Sequence, residues 1–275
     1  VHRPRDRGDL PMSNAVLPNA TPAPALTDDT LGIDRACLLQ MARMPVLAVA
    51  WVCAAAAAHV GWAALWPEGL NGGPLVVISF GMILAAVIDG WALKVPNWLT
   101  LPLVLSGWAL GALHDFGAPV DAGTGGFGIA VLGTLFGFVL LLPMLMIGGV
   151  GAGDVKMQMG FGAWVGAFFG TGGTTAAAGG AALHGMGVVF WAFCFGAVAG
   201  GAFGLVIIFL RRQFKKNAGF VGEVLSDLKM FGSGQVSAAS KRAHDRRSRW
   251  TKLPYGIPLC VGFLMYLAYA LLLVG

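Results

Sequence analysis

The stretch Phe127-Gly-Ile-Ala-Val-Leu-Gly-Thr-Leu-Phe-Gly-Phe-Val-Leu-Leu-Leu-Pro-Met-Leu-Met-Ile147 contains no charged side chain. Wound as a helix at 1.5 Å per residue it reaches about 30 Å, the thickness of a bilayer's hydrocarbon core. A helix satisfies its own backbone polar groups, which lipid requires of any spanning segment. The pattern repeats on both sides of this stretch. Apolar runs at 46–66, 75–93, 98–113, 127–147, 155–177, 185–210 and 254–275 predict an all-α polytopic membrane protein with about seven transmembrane helices. Composition agrees. Only 11% of residues are charged and 57% are hydrophobic, with a mean hydropathy of +0.74, against roughly 25% charged in ordinary soluble domains. A soluble enzyme is excluded on that ground. Cys37, Cys53, Cys194 and Cys260 are scattered and form no CxxC pair, which excludes a disulfide scaffold and a structural zinc site.

Residues 1–44 read as a disordered cytoplasmic tail. They hold Pro4, Pro11, Pro18, Pro22 and Pro24, and five Arg against five Asp, with too little apolar surface to fold alone. The first apolar run starts only near Val46, without a nearby small-residue cleavage site, unlike a signal peptide. Residues 45–275 form the membrane-embedded unit. Within it, the 211–253 loop carries eleven Lys and Arg against three acids.

Basic residues cluster on the cytoplasmic side of membrane proteins. With the N-terminus inside, seven spans place the tail arginines, Lys94, Lys156 and the whole 211–253 cluster on one side. No Lys or Arg is left for the other, whose loops carry Glu68, Asp115 and Asp121. A miscounted span would break this parity. The net charge of +5 and pI near 9.2 therefore report orientation, and no nucleic-acid partner is expected. The basic loop is expected to hold anionic membrane lipid, with Phe220, Val221, Val224, Leu225, Leu228 and Phe231 at the spacing of a short interfacial helix.

Acids inside or beside spans are costly and mark functional sites. Two fall on the predicted cytoplasmic side. Asp89 ends the run Ile83–Ile88 and is followed by a turn closed by Pro96 and Asn97. Asp154 follows the glycine-rich Gly148–Gly153 stretch and opens the fifth span. Each has a plain structural reading: Asp154 as a helix cap, Asp89 as a helix-end residue paired with Lys94 or reaching water. As a pair on one side they suit peptide hydrolysis. Two close carboxylates share a proton, so the ionised one activates water and the protonated one serves the leaving group.

Gly151-Ala-Gly-Asp154-Val-Lys156, continuing through Gly160-Phe-Gly-Ala-Trp164, resembles the GxGD motif of the prepilin peptidase family, membrane aspartyl proteases that trim leader peptides from type IV pilins. Asp89-x6-Pro96-Asn97-x2-Thr100 is similar to that family's first aspartate motif. Leu253-Pro-Tyr-Gly-Ile-Pro258 resembles its Pro-Phe-Gly-Pro segment, with Ile257 inserted. The three lie in the family's order between about 75 and 275. The resemblance implies Asp89 and Asp154 as catalytic residues, a pilin-like precursor as partner, no cofactor or metal, and residence in the bacterial inner membrane. Nothing in the chain matches the cysteine-bearing insert of longer members, so no methyltransferase activity is expected. The long basic loop departs from the usual short connection.

Around the acids, Gly151 and Gly153 leave no side chain beside Asp154, giving an extended substrate room to approach. Pro96 ends the preceding helix and sets the depth of the turn. Lys156 either offsets charge at the pair or extends to lipid phosphate. Pro254, Tyr255 and Gly256 shape the start of the last helix. Glycines at 162, 166 and 170 and at 196, 200 and 204 permit close helix crossings. His59, His114 and His184 fall near the opposite ends without metal-ligand spacing. Competing readings are a proton-coupled transporter or channel using the same acids, although internal repeats and broken midplane helices are absent; a presenilin-type protease, whose Tyr-Asp pairing is replaced here by Ile88-Asp89; and a non-enzymatic membrane subunit of a secretion apparatus.

Overall fold

The computed structural model describes residues 35–68, 71–118, 125–146, 149–170, 185–210, 226 and 255–274. Seven helices are described there: α1 (Arg35–Leu65), α2 (Gly73–Ala92), α3 (Asn97–Asp115), α4 (Phe127–Met146), α5 (Ala152–Phe169), α6 (Gly185–Leu210) and α7 (Gly256–Val274). No strand occurs among the described residues. The basic loop 211–253 apart from residue 226, Pro254 and most of the tail lie outside them.

Four helices are long and apolar enough to cross a membrane: Met41–Leu65 within α1, α2, α4 and Gly185–Val206 within α6. Their outward residues are large and apolar, among them Val49, Phe80, Val87, Leu135, Val139, Val198 and Leu205. Water would penalise such a surface heavily, whereas lipid accepts it. The less apolar α5 is the centre of the bundle. It packs against α2, α3, α4, α6 and α7, and every residue from Gly160 to Gly170 is buried. A helix enclosed by other helices meets no lipid, so its composition is set by packing.

Close packing on α5 depends on small residues. Gly162 of α5 lies against the Gly133 backbone of α4, and a methyl on Gly166 would come within 2.5 Å of the Ile129 carbonyl. On the far side of the bundle Gly262 of α7 sits directly on Gly196 of α6. Gly204, in line with those residues, meets nothing within 4 Å. Two indole groups are satisfied across helix pairs. The Trp164 indole N–H donates to the Leu103 carbonyl at 2.9 Å and to Ser106 Oγ at 3.0 Å. The Trp108 indole donates to Thr134 Oγ1 at 2.9 Å. Both join α3 to its neighbours.

Two boundaries differ from the expected ones. α1 begins at Arg35, so residues 35–44, assigned above to the tail, are helical. Hydropathy finds only the part of a helix that crosses lipid, and Arg35–Met44 is made of good helix formers. α5 ends at Phe169, short of 177, because Gly170 adopts φ 58° and ψ −156°, which a right-handed helix cannot continue.

Candidate active site

The C-terminal end of α2 and the N-terminal ends of α3, α5 and α7 meet at one end of the bundle. Asp89 occupies the last turn of α2 and Asp154 the first turn of α5, each 5% exposed. The two acids thus come from opposite ends of their helices yet to the same end of the molecule.

Asp89 is reached from α7. The backbone N–H of Gly256 donates to its Oδ2 at 2.9 Å. Only glycine permits this approach, since a Cβ at 256 would stand 2.9 Å from Oδ2 and 3.1 Å from the Asp89 Cβ. Behind the contact, Ile257 packs on Gly90, where a Cβ would meet its Cδ1 at 3.1 Å. The described partner of Asp89 is therefore Gly256, not the exposed Lys94.

Asp154 is the third residue of α5 and accepts the Gly151 N–H on Oδ2 at 3.0 Å. This is the carboxylate half of a capping box, satisfying an amide that no earlier turn of the helix serves. The N-cap position expected for Asp154 is held by Gly151, and Asp154 serves the cap from the third helical position, so a structural duty coexists with any chemical one. The space left by glycine is already used. At 151 it faces the Asp154 carboxylate, with a Cβ 3.1 Å from Oδ2, and at 153 it is filled by Val95, 3.1 Å from a Cβ there. Gly153 docks the α2–α3 turn onto α5 and Gly151 gives room to the Asp154 carboxylate, rather than leaving the open approach expected for substrate.

That turn is tightly defined. Leu93 adopts φ 52°, ψ 31° and donates its N–H to the Asp89 carbonyl at 2.8 Å, a left-handed conformation uncommon outside glycine. Pro96 then caps α3 in an extended conformation. Asn97, the first residue of α3, accepts a hydrogen bond from Lys156 Nζ at 2.8 Å on the exposed rim. Lys156 ties α5 to α3, a use that neither reading of it foresaw.

Tyr255 completes the cluster from just ahead of α7. Its ring lies against Gly200 of α6, 3.2 Å from a Cβ placed there. Burial, and then the negative charge of Asp154, push its phenol above the ordinary range. Residues 255 and 256 thus relate to both acids at once: one donates to Asp89, the other feels the charge of Asp154. The sequence reading gave Tyr255 no part beyond shaping the helix start, and a residue 101 positions beyond Asp154 gives no local signal of that proximity. At the opposite end, Asp115 Oδ2 accepts the Phe127 N–H at 2.8 Å and so caps α4. Among the described residues no group of three or more His, Cys, Asp or Glu could hold a metal ion.

A bundle of apolar helices with two buried aspartates converging at one end defines a polytopic membrane protein with an acidic site at its margin. Residues 76–205 match the model of the type IV leader peptidase family, a span that includes both aspartates. Over that span, a little under half of its length, the chain is similar to the type IV leader peptidases, which supports the resemblance to the prepilin peptidase family. No curated protein and no solved structure matches it significantly.

Proposed function

We propose that this protein is a membrane aspartyl endopeptidase that removes leader peptides from type IV pilin-like precursors at the cytoplasmic face of the bacterial inner membrane. The observation that carries this reading is the meeting of Asp89 and Asp154, buried and from separate helices, around the Tyr255–Gly256 segment. The family match supplies the peptidase class.

The helix ends assign different parts to the two acids. Asp154 lies at the positive end of α5's dipole, which favours a carboxylate; Asp89 lies at the negative end of α2's dipole, which does not. Asp154 is the base and Asp89 the acid. Asp154 takes a proton from water as the water oxygen attacks the scissile carbonyl carbon, and Asp89 protonates the carbonyl oxygen. In the tetrahedral intermediate that results, Asp154 passes its proton to the leaving nitrogen as the C–N bond breaks. Asp89 recovers its proton from a hydroxyl of the new carboxylic acid. Both residues return to their starting states.

Pro96, Asn97 and Lys156 fix the turn between α2 and α3 against α5, and Gly151, Gly153 and Gly256 permit the close approaches around the acids. The 211–253 loop, with its eleven basic residues, holds anionic lipid headgroups. The activity is peptidase only, with no methyl transfer and no cofactor. Co-expression with a leader-bearing precursor tests the reading. Wild type shortens the precursor at the border of its apolar helix, and D89N and D154N leave it at full length. A shortened precursor in either correctly inserted variant contradicts the proposal.

A further inference from the structure

α5 carries a buried polar side chain that neither the motif nor the mechanism above uses. Gln158 is 2% exposed, and its Nε2 has no hydrogen-bond partner in the structure. A buried donor without an acceptor carries its full desolvation cost, and an apolar residue of similar shape would avoid it. Gln158 packs on Gly137 of α4, where a Cβ would stand 2.6 Å from the Gln158 carbonyl oxygen and 3.4 Å from its Cγ. Along α5, however, Asp154 lies one turn away on the same face. Long helical side chains lean toward the N-terminus, the direction in which Asp154 lies.

We propose that Gln158 is a positioning residue for Asp154: in the reactive arrangement its amide N–H donates to the Asp154 carboxylate and fixes that group as the base. The proposal rests on the aspartyl peptidase reading for its consequence in catalysis, though not for the contact itself. A donor to a carboxylate favours the ionised form, adding to the Gly151 N–H already on Oδ2. Among the described residues, the titratable and charged groups around Asp154 are Asp89 on α2, Tyr255 ahead of α7, Lys94 beside the Val95 that packs on Gly153, and Lys156, whose ammonium is bonded to Asn97. α4 and α6 contain no charged residue. Replacing Gln158 therefore removes a donor without changing any charge.

The test uses the full chain in lipid vesicles with a leader-bearing precursor. Q158L is expected to melt at or above the wild-type temperature, and to lower kcat about tenfold with KM within about twofold. The acidic limb of its kcat profile moves up by about 1 pH unit, because the base loses a donor to its charged form. Independently of turnover, the infrared carboxyl band of Asp154 is followed in a D89N background and assigned by its loss in D154N. It titrates about 1 pH unit higher when Q158L is added. Q158M keeps the length and lacks the donor, and carries the same test if Q158L does not insert. A band and an acidic limb that stay at their wild-type positions overturn the proposal, even where kcat falls. If the wild type cleaves no precursor, the peptidase reading fails, while the infrared titration still decides whether Gln158 acts on Asp154.

Discussion

Gly256 and Asp89 stand 167 positions apart in the chain, and the backbone N–H of the first donates to Oδ2 of the second at 2.9 Å. The last helix thereby holds the acid of α2 in place through its main chain alone. A methyl group at 256 would intrude on that carboxyl. G256A is expected to insert and melt near wild type, yet to lose about 10- to 100-fold in leader cleavage, the scale of a lost hydrogen bond to a charged or polar partner of about 1–3 kcal/mol. Steady-state cleavage beside a thermal melt checks this. An Ala variant with wild-type kinetics removes the latch from the account.

Lys156 and Asn97 form the exposed tie between α5 and α3. Exposed polar pairs contribute little, on the order of 0.5 kcal/mol. K156M and N97A are therefore expected to reduce cleavage less than about tenfold and to shift the melt by no more than a few degrees. A K156M variant as inactive as D154N would move Lys156 from the scaffold into the chemistry.

Asp115 serves as a control among the acids. It caps α4 from outside, at the end of the bundle away from Asp89 and Asp154. D115A is expected to cost about 0.5–2 kcal/mol of stability, as lost caps do, and to leave cleavage per folded molecule unchanged. Denaturation midpoints combined with activity normalised to folded protein separate the two effects.

The sequence makes the helices legible because lipid imposes a simple rule, and runs such as Phe127–Ile147 obey it. It also exposes Asp89 and Asp154, since an acid interrupting an apolar run is conspicuous. The glycine stripes are half legible. Gly162, Gly166, Gly196 and Gly200 do meet neighbouring helices, whereas Gly204 meets none and Gly170 ends a helix instead of lining one. Hydropathy misses the first turns of α1, because helix propensity and not lipid forms them. Contacts between distant segments stay hidden: Gly256 on Asp89, Val95 in the space beside Gly153, Tyr255 near Asp154. Gln158 escaped notice because a neutral amide in an apolar helix draws less attention than an acid, although its spacing of four from Asp154 was visible.

The claim that Asp89 and Asp154 act as one unit is tested most directly by single-turnover cleavage of a leader-bearing precursor in vesicles, comparing wild type, D89N, D154N and the double variant. Residues that share one proton fail together. Each single variant is expected to lose at least about a thousandfold, within the range removed when an essential acid or base is lost, and the double variant no more than either single. If either single variant cleaves within about tenfold of wild type, or the two losses multiply in the double variant, the shared-proton mechanism is contradicted.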